Sequence, residues 1–373
     1  MKKISNIILY CCCFSLFLSS CAKKESSSGS SSSSATTTTS DNSKSSFSVS
    51  EITQTNEGDG YLSGSFVVPS NGISFMLATF MDNNSVVAFY SLSDPDGTNI
   101  LSSLGTWGGY GFAGVLVPQT PNFSAKAGTW TFKNYANDRV KLSLRTGSTP
   151  SAATITVQPY ITGTTWSAND IASALSVMSN IYNKNGITLS LKDTITISES
   201  QYATVSDNFT DSTTSALVSQ GSKDTVNLFF VEDQPSSETA LFGVSAGLPG
   251  TMGIASSWNG VINYLSAHAT GSTLNSQLLG ETAAHEMGHW LGLFHTTEAN
   301  GTSFDPLSDT AQCAISRDND NDAKVYPEEC VGYGADNLMF WTAWSTSSQA
   351  AGKKQENLSS EQQYILKYSP IAK

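Results

Sequence analysis

Three of the chain's four histidines, His285, His289 and His295, fall within eleven positions of a 373-residue sequence. They stand in the run His285-Glu286-Met287-Gly288-His289, followed by Gly292 and then His295. On a helix, positions i and i+4 project from one face about one turn apart, so His285 and His289 can aim their imidazoles at one ion. Neutral imidazole nitrogens at about 2.0 to 2.1 Å suit Zn²⁺. Glu286 follows the first ligand directly, so it lies close to the metal without having to bind it. It can take a proton from water and return it to a leaving group. Gly292 can stop the helix by turning the chain through positive φ without a Cβ clash, after which His295 can supply a third nitrogen. Three protein ligands with a fourth position open is the arrangement of a catalytic zinc site; structural sites close all four.

The elements that must position these groups can be read from periodicity. Leu278, Leu279, Ala283, Met287 and Leu291 form the apolar side that anchors the histidine-bearing helix. Upstream, Ile155 and Val157 start a strand, and Ile171, Ala174, Leu175, Met178, Ile181 and Tyr182 recur with helical spacing between a Ser167 cap and a Gly186 stop. Ile187, Leu189 and Leu191 alternate as a second strand, and Thr225 to Val231 reads as a buried one. The order strand, helix, strand, strand predicts an α/β layer architecture for residues 151–373. His268 reads as a satisfied core histidine. Residues 47–150 show no helical period. Phe66 to Val68, Ser74 to Phe80, Val86 to Leu92, Gly114 to Val117, Thr129 to Phe132 and Val140 to Leu144 are β-branched or aromatic runs. They are broken by Asn71-Gly72, Asp82-Asn83-Asn84, Asp94-Pro95-Asp96-Gly97 and Lys126-Ala127-Gly128. An all-β sandwich follows. Val140, Leu142 and Leu144 alternate with Lys141, Ser143 and Arg145, which predicts a strand with one wet face. Asp94 and Asp96 could bind a cation or form a solvated type I turn.

The pattern HExxHxxGxxH is the metzincin signature, and this chain resembles those zinc endopeptidases. The resemblance implies an α/β zincin-like catalytic domain, one catalytic Zn²⁺ on His285, His289 and His295, and Glu286 as the base. It also implies a methionine turn beneath the ligands, for which Asp336-Asn337-Leu338-Met339 qualifies with Met339. The run Thr282 to Thr296, the run Asp305 to Thr310, a downstream cysteine pair, Met339 in its turn and Leu358 to Gln363 are most similar to the pappalysins. Those proteins usually carry a Tyr shortly after the turn methionine; here Phe340 and Trp341 follow. Substrate in metzincins runs antiparallel to an edge strand above the helix, and Phe242 to Ala255 is the candidate segment by its order along the chain. The phrases Leu92 to Thr98 and Ala127 to Phe132 resemble the jelly-roll modules that accompany secreted bacterial peptidases.

Cys313 and Cys330 are the two cysteines in the body of the chain and suit a single disulfide; neither sits in the CxxC pair expected of a metal site. Between them Asp318, Asp320 and Asp322 alternate, with Glu329 in the twelfth place, resembling a calcium loop. Ala323 stands where an EF-hand needs Gly, and Pro327 intrudes. The two open readings are a Ca²⁺-stabilised loop and a solvated acidic loop.

Lys2 and Lys3 precede an apolar run from Ile4 to Leu18, as in a secretory signal peptide of residues 1–20. Leu18-Ser19-Ser20-Cys21 resembles the bacterial lipobox, which implies lipidation of Cys21 and a cell-envelope location, with the membrane as partner. Residues 21–46 are dominated by Ser and Thr and read as a flexible tether. With 19 Lys plus Arg against 31 Asp plus Glu, the formal charge is −12, which argues against nucleic acid and other polyanions. The predicted function is a surface-anchored zinc endopeptidase acting on protein or peptide. The alternative is a non-catalytic adhesin or host-protein-binding lipoprotein built on the same zinc fold.

Overall fold

The structure, a computed structural model, describes residues 45–373 apart from 59, 82–84, 105–107, 136–138 and 239. The predicted signal peptide, Cys21, nearly all of the predicted tether and the predicted turn at Asp82-Asn83-Asn84 lie outside the described residues.

The β-rich half forms two antiparallel sheets. In one, β1 (Ser46–Glu51) lies beside β9 (Arg139–Thr146), then β4 (Gly72–Phe80) and β7 (Phe112–Val117). The other runs β2 (Gln54–Asn56), β3 (Tyr61–Val68), β8 (Gly128–Tyr135), β5 (Val86–Ser93) and β6 (Gly108–Tyr110). Alternation puts Phe66, Phe75, Phe89, Trp130 and Phe132 into one shared core. There Phe75 meets Trp130 edge-on at 4.9 Å, a favoured aromatic geometry. At the Asp94 turn, Lys126 Nζ reaches Asp94 at 2.5 Å and Asp96 at 2.8 Å.

Two strands of this half are buried on both faces. On β4, Phe75 and Leu77 enter the sandwich core, while Met76, Ala78 and Phe80 enter a second core together with Ile155, Trp290 and Leu293. A strand covered on both sides reads as an unbroken apolar run, as Ile73 to Phe80 nearly does. The expected wet face of β9 is corrected for the same reason. Ser143 and Arg145 are buried at the seam, where Ser143 Oγ donates to Met252 O at 2.6 Å. Arg145 Nη1 donates to the carbonyls of Lys367 and Ser369 at 2.7 and 3.2 Å. The described residues, from Ser45 to Lys373, fall in one compact unit.

The remaining sheet runs β11 (Ile187–Leu191), β10 (Ala153–Thr162), β13 (Val226–Val231), β15 (Val261–Tyr264) and β14 (Gly243–Ser245). β12 (Ile195–Ile197) also pairs with β10. All these pairings are parallel except β14 with β15, so the edge strand runs against the rest. All six residues of β13 are buried, as a central parallel strand requires. Helix α1 (Ala168–Lys184) starts at a capping box of Ser167 and Asp170 and buries all six residues of its predicted stripe. It packs beside α3 (Ser276–Trp290) on one face, while α2 (Ser212–Val218) helps cover the other. Two short hairpin strands, β16 (Ala269–Thr270) and β17 (Thr273–Leu274), lead into α3, and α4 (Thr346–Ala350) and α5 (Ser360–Tyr368) follow it. Among the described residues no helix is long and apolar enough to cross a membrane.

The seam reaches the histidine-bearing helix. Gly292 just beyond α3 has φ +103°, and a Cβ there would stand 2.6 Å from Leu116 Cδ2 of β7. Leu116→Ala is expected to lower stability by about 3 kcal/mol through the cavity it leaves, read as a fall in the urea midpoint. Gly292→Ala should cost a comparable amount. In the double variant the two losses should sum to less than their separate values by about 1 kcal/mol, because the contact is relieved while the backbone strain remains.

Candidate metal centre and active site

Asn275 caps α3 by accepting the Leu278 amide at 3.1 Å, and the helix runs to Trp290. His285 and His289 lie one turn apart on it; Gly292 then turns the chain back and His295 returns to them. The Nε2 atom of His295 is 3.2 Å from that of His285 and 3.0 Å from that of His289. The opposite ring nitrogens face acceptors. His285 Nδ1 donates to Leu338 O and His289 Nδ1 to Leu293 O, each at 2.7 Å, and His295 Nδ1 faces Glu298 Oε1 at 3.1 Å. Protonated Nδ1 atoms leave three Nε2 lone pairs aimed at one point, an arrangement that could hold a shared cation. Tetrahedral zinc with nitrogens at about 2.0 to 2.1 Å puts those nitrogens about 3.3 Å apart, so this donor set fits the ion. Burial pushes His285 down to about 3 and His289 well below its ordinary value, which keeps both in the neutral, ligating form.

The segment containing Met339 lies beneath this triangle. Met339 is fully buried, and a Cβ on Gly288 would stand 2.6 Å from its sulfur, so the small residue between the two helical histidines makes room for it. Thr296 N donates to Met339 O at 2.9 Å, tying the residue after the third histidine to that turn. Asn337 accepts the Met339 amide at 2.8 Å and is gripped by Gln362 of α5 at 2.9 Å.

Glu286 is half-buried beside β14. Desolvation pushes its carboxyl up to about 8, with the Ser245 amide pulling the other way; a bound cation would draw it down. Only Gly243–Ser245 of the predicted edge segment forms a strand, and beyond it Leu248-Pro249 is a cis peptide. A Cβ on Gly243 would stand 2.9 Å from Glu286 Cγ and 3.1 Å from Thr282 Cγ2, so glycine lets the edge strand sit close on the helix. His268 is the satisfied core histidine expected of it: Nδ1 contacts Tyr264 O at 2.7 Å and Nε2 contacts Thr282 Oγ1 at 3.0 Å.

Cys313 and Cys330 are joined as a disulfide with Cα atoms 5.6 Å apart. Asp318, Asp320 and Asp322 bring ligand atoms within 4.8 Å of one another on the surface. Glu329 does not join them, because its carboxylate accepts the amides of Asn319 and Tyr326 at 2.6 and 2.9 Å. Ala323 takes φ +65°, the conformation that the missing glycine would favour. Sequence reasoning missed Glu298, Gly243 and the buried Glu281. Only Glu298 left a signal, a carboxylate three residues after a ligand.

The family model described as "Metallo-peptidase family M12B Reprolysin-like" matches residues 168–296, a span that holds α1, α3 and all three histidines. An extracellular metalloprotease of Colletotrichum graminicola is 38% identical over 105 residues, 25% of this chain and 35% of that protein. A second extracellular metalloprotease of the same fungus is 27% identical over 186 residues, 45% of this chain and 64% of the relative. The chain thus spans less than two thirds of the length of either of these relatives. Among solved structures, archaemetzincin from Methanopyrus kandleri aligns with a TM-score of 0.31 at 12% identity, over 60% of this chain and 98% of that one. The segment carrying the triad is thus the part of the chain that is similar to metallopeptidases.

Glu281, one turn before His285, is buried and accepts from Gln277 Nε2 at 2.7 Å; desolvation pushes its carboxyl up from 4.5 to about 7. Between those values the folded chain holds a proton that the unfolded chain releases, so stability falls as pH rises through the interval. Relative to Glu281→Gln, the parent should lose up to about 3 kcal/mol of unfolding free energy between pH 4.5 and 8, read from urea curves at each pH.

Proposed function

We propose that this chain is a zinc-dependent endopeptidase of metzincin type, cleaving protein or peptide bonds outside the cytoplasm. The observation that carries the reading is the convergence of three Nε2 atoms at 3.0 and 3.2 Å beside a carboxylate and an antiparallel edge strand. His285, His289 and His295 would hold Zn²⁺, which when bound supplies Lewis acidity toward water and the scissile carbonyl. Glu286, next to the first ligand and beside β14, accepts the proton of the attacking water and returns it to the leaving amine. β14 offers its free edge to an extended peptide by strand addition, and Gly243 keeps that edge within reach of Glu286. Because water attacks, no covalent enzyme intermediate forms.

Within this reading, the Asp305 to Thr310 run, the cysteine pair and the Asn337-Leu338-Met339 turn support a pappalysin-like subtype. The Leu18-Ser19-Ser20-Cys21 run supports attachment to a bacterial envelope through lipid on Cys21. The acidic triplet Asp318, Asp320 and Asp322 is a candidate Ca²⁺ site that would stiffen the disulfide-closed loop. The β-rich half would act as a supporting module, since Met76, Ala78 and Leu116 share the core that holds α3.

The test is zinc content and peptide-library cleavage by the soluble chain starting at Ser45, beside Glu286→Gln. The parent should hold about one zinc, cut, and lose cutting to a chelator. Glu286→Gln should keep its zinc and lose about 10²- to 10⁴-fold in kcat/KM. Zinc without cleavage in the parent would favour a binding role instead, and well-folded protein without zinc would overturn the metal-centre reading.

A further inference from the structure

We propose that Glu298 is the positioning residue of the third metal ligand, holding the His295 ring so that Nε2 faces the point it shares with His285 and His289. The inference rests on the zinc reading above. His285 and His289 are carried by α3 and steered by backbone carbonyls. His295 lies beyond the helix, after the reversal at Gly292, and the group its Nδ1 faces is a carboxylate side chain at 3.1 Å. A carboxylate only accepts, so it selects the Nδ1–H form and leaves Nε2 free for a metal.

The backbone around Glu298 is pinned independently of its side chain. Its amide donates to Ser303 O at 2.9 Å, and its carbonyl accepts from Gly301 N at 2.9 Å. Cys313 N donates to Thr297 Oγ1 at 3.0 Å, Ile315 N to Gly301 O at 2.8 Å and Val325 N to Ala299 O at 2.9 Å. These three donors belong to the segment closed by the Cys313–Cys330 disulfide, which is therefore strapped to the turn on both sides of Glu298. Trp341 Nε1 adds a bond to Val325 O at 2.6 Å, joining the strap to the stretch just after Met339. The disulfide-closed segment thus sets the height from which Glu298 reaches the ring. Since main-chain bonds hold the turn, replacing the side chain should alter the hold on His295 and little else.

The experiment is zinc affinity by chelator competition on the chain starting at Ser45, for the parent, Glu298→Ala, Glu298→Gln and His295→Ala, with the visible spectrum of the Co²⁺-loaded forms as a second readout. Glu298→Ala should bind zinc about 10- to 100-fold more weakly and shift the cobalt bands. Glu298→Gln keeps an acceptor at the same reach and should recover most of that loss, and metal-free unfolding midpoints should not move. Affinity of Glu298→Ala within twofold of the parent, equal losses in both Glu298 variants, or a midpoint that falls with the affinity would each overturn the positioning role. His295→Ala should abolish tight binding. If it binds zinc like the parent, it is the metal-centre reading that fails, which keeps the two failures apart.

Discussion

Three imidazole lone pairs held 3.0 to 3.2 Å apart and pointed at one another form an arrangement that a folded chain must enforce, since without a cation between them they repel. The enforcement comes from the opposite side of each ring. Leu338 O and Leu293 O accept from two of the rings, and Glu298 faces the third. Each partner belongs to a segment fixed elsewhere: Leu338 by the turn that Asn337 and Gln362 clamp, Leu293 by its amide bond to Gly288 O at 2.9 Å, Glu298 by the disulfide-closed strap. Much of the chain after α3 contributes to keeping three hydrogen bonds in place.

The helix that presents the first two ligands is itself held from two directions. Ala174 and Met178 of α1 and Leu228 and Val261 of the parallel sheet share its core, and so do Met76, Ala78 and Leu116 of the β-rich half. Leu116 meets the helix where Gly292 turns the chain toward His295. A change in the seam therefore moves the third ligand directly. Joining the halves this way also explains why Ser143 and Arg145, polar residues on a strand that alternates as if half were wet, are spent on carbonyls of the other half.

Low polarity around the helix has electrostatic consequences in an otherwise acidic chain of formal charge −12. Glu281 and Glu286 are both raised by desolvation, one turn before and one residue after His285. The same burial lowers His285 and His289. A site that favours neutral imidazoles and a proton-hungry carboxylate is prepared for a divalent cation and for proton transfer before either arrives.

How much of this was legible beforehand depends on the range of the interactions involved. The i, i+4 pair with Glu286 between, the apolar stripes of α1 and α3, the Ser167 cap and the run at β13 are local consequences of helical and strand periodicity, and the structure carries them where the residues indicate. The cysteine pair and Met339 could be named as candidates, yet Met339 lies against Gly288, 51 residues earlier in the chain. Gly243 against Glu286, Leu116 against Gly292, Arg145 on the carbonyls of Lys367 and Ser369, and Glu329 turned from the acidic triplet onto Asn319 and Tyr326 leave no periodic trace. Sequence alone determined which residues could do the chemistry, because ligand type and spacing on one helix are local properties. Only the tertiary structure decided which nitrogen of each ring faces inward, which strand lies at the edge and which face of β9 is dry. Those outcomes depend on how separate segments pack together, from the turn just beyond α3 to contacts of β9 more than a hundred residues along the chain.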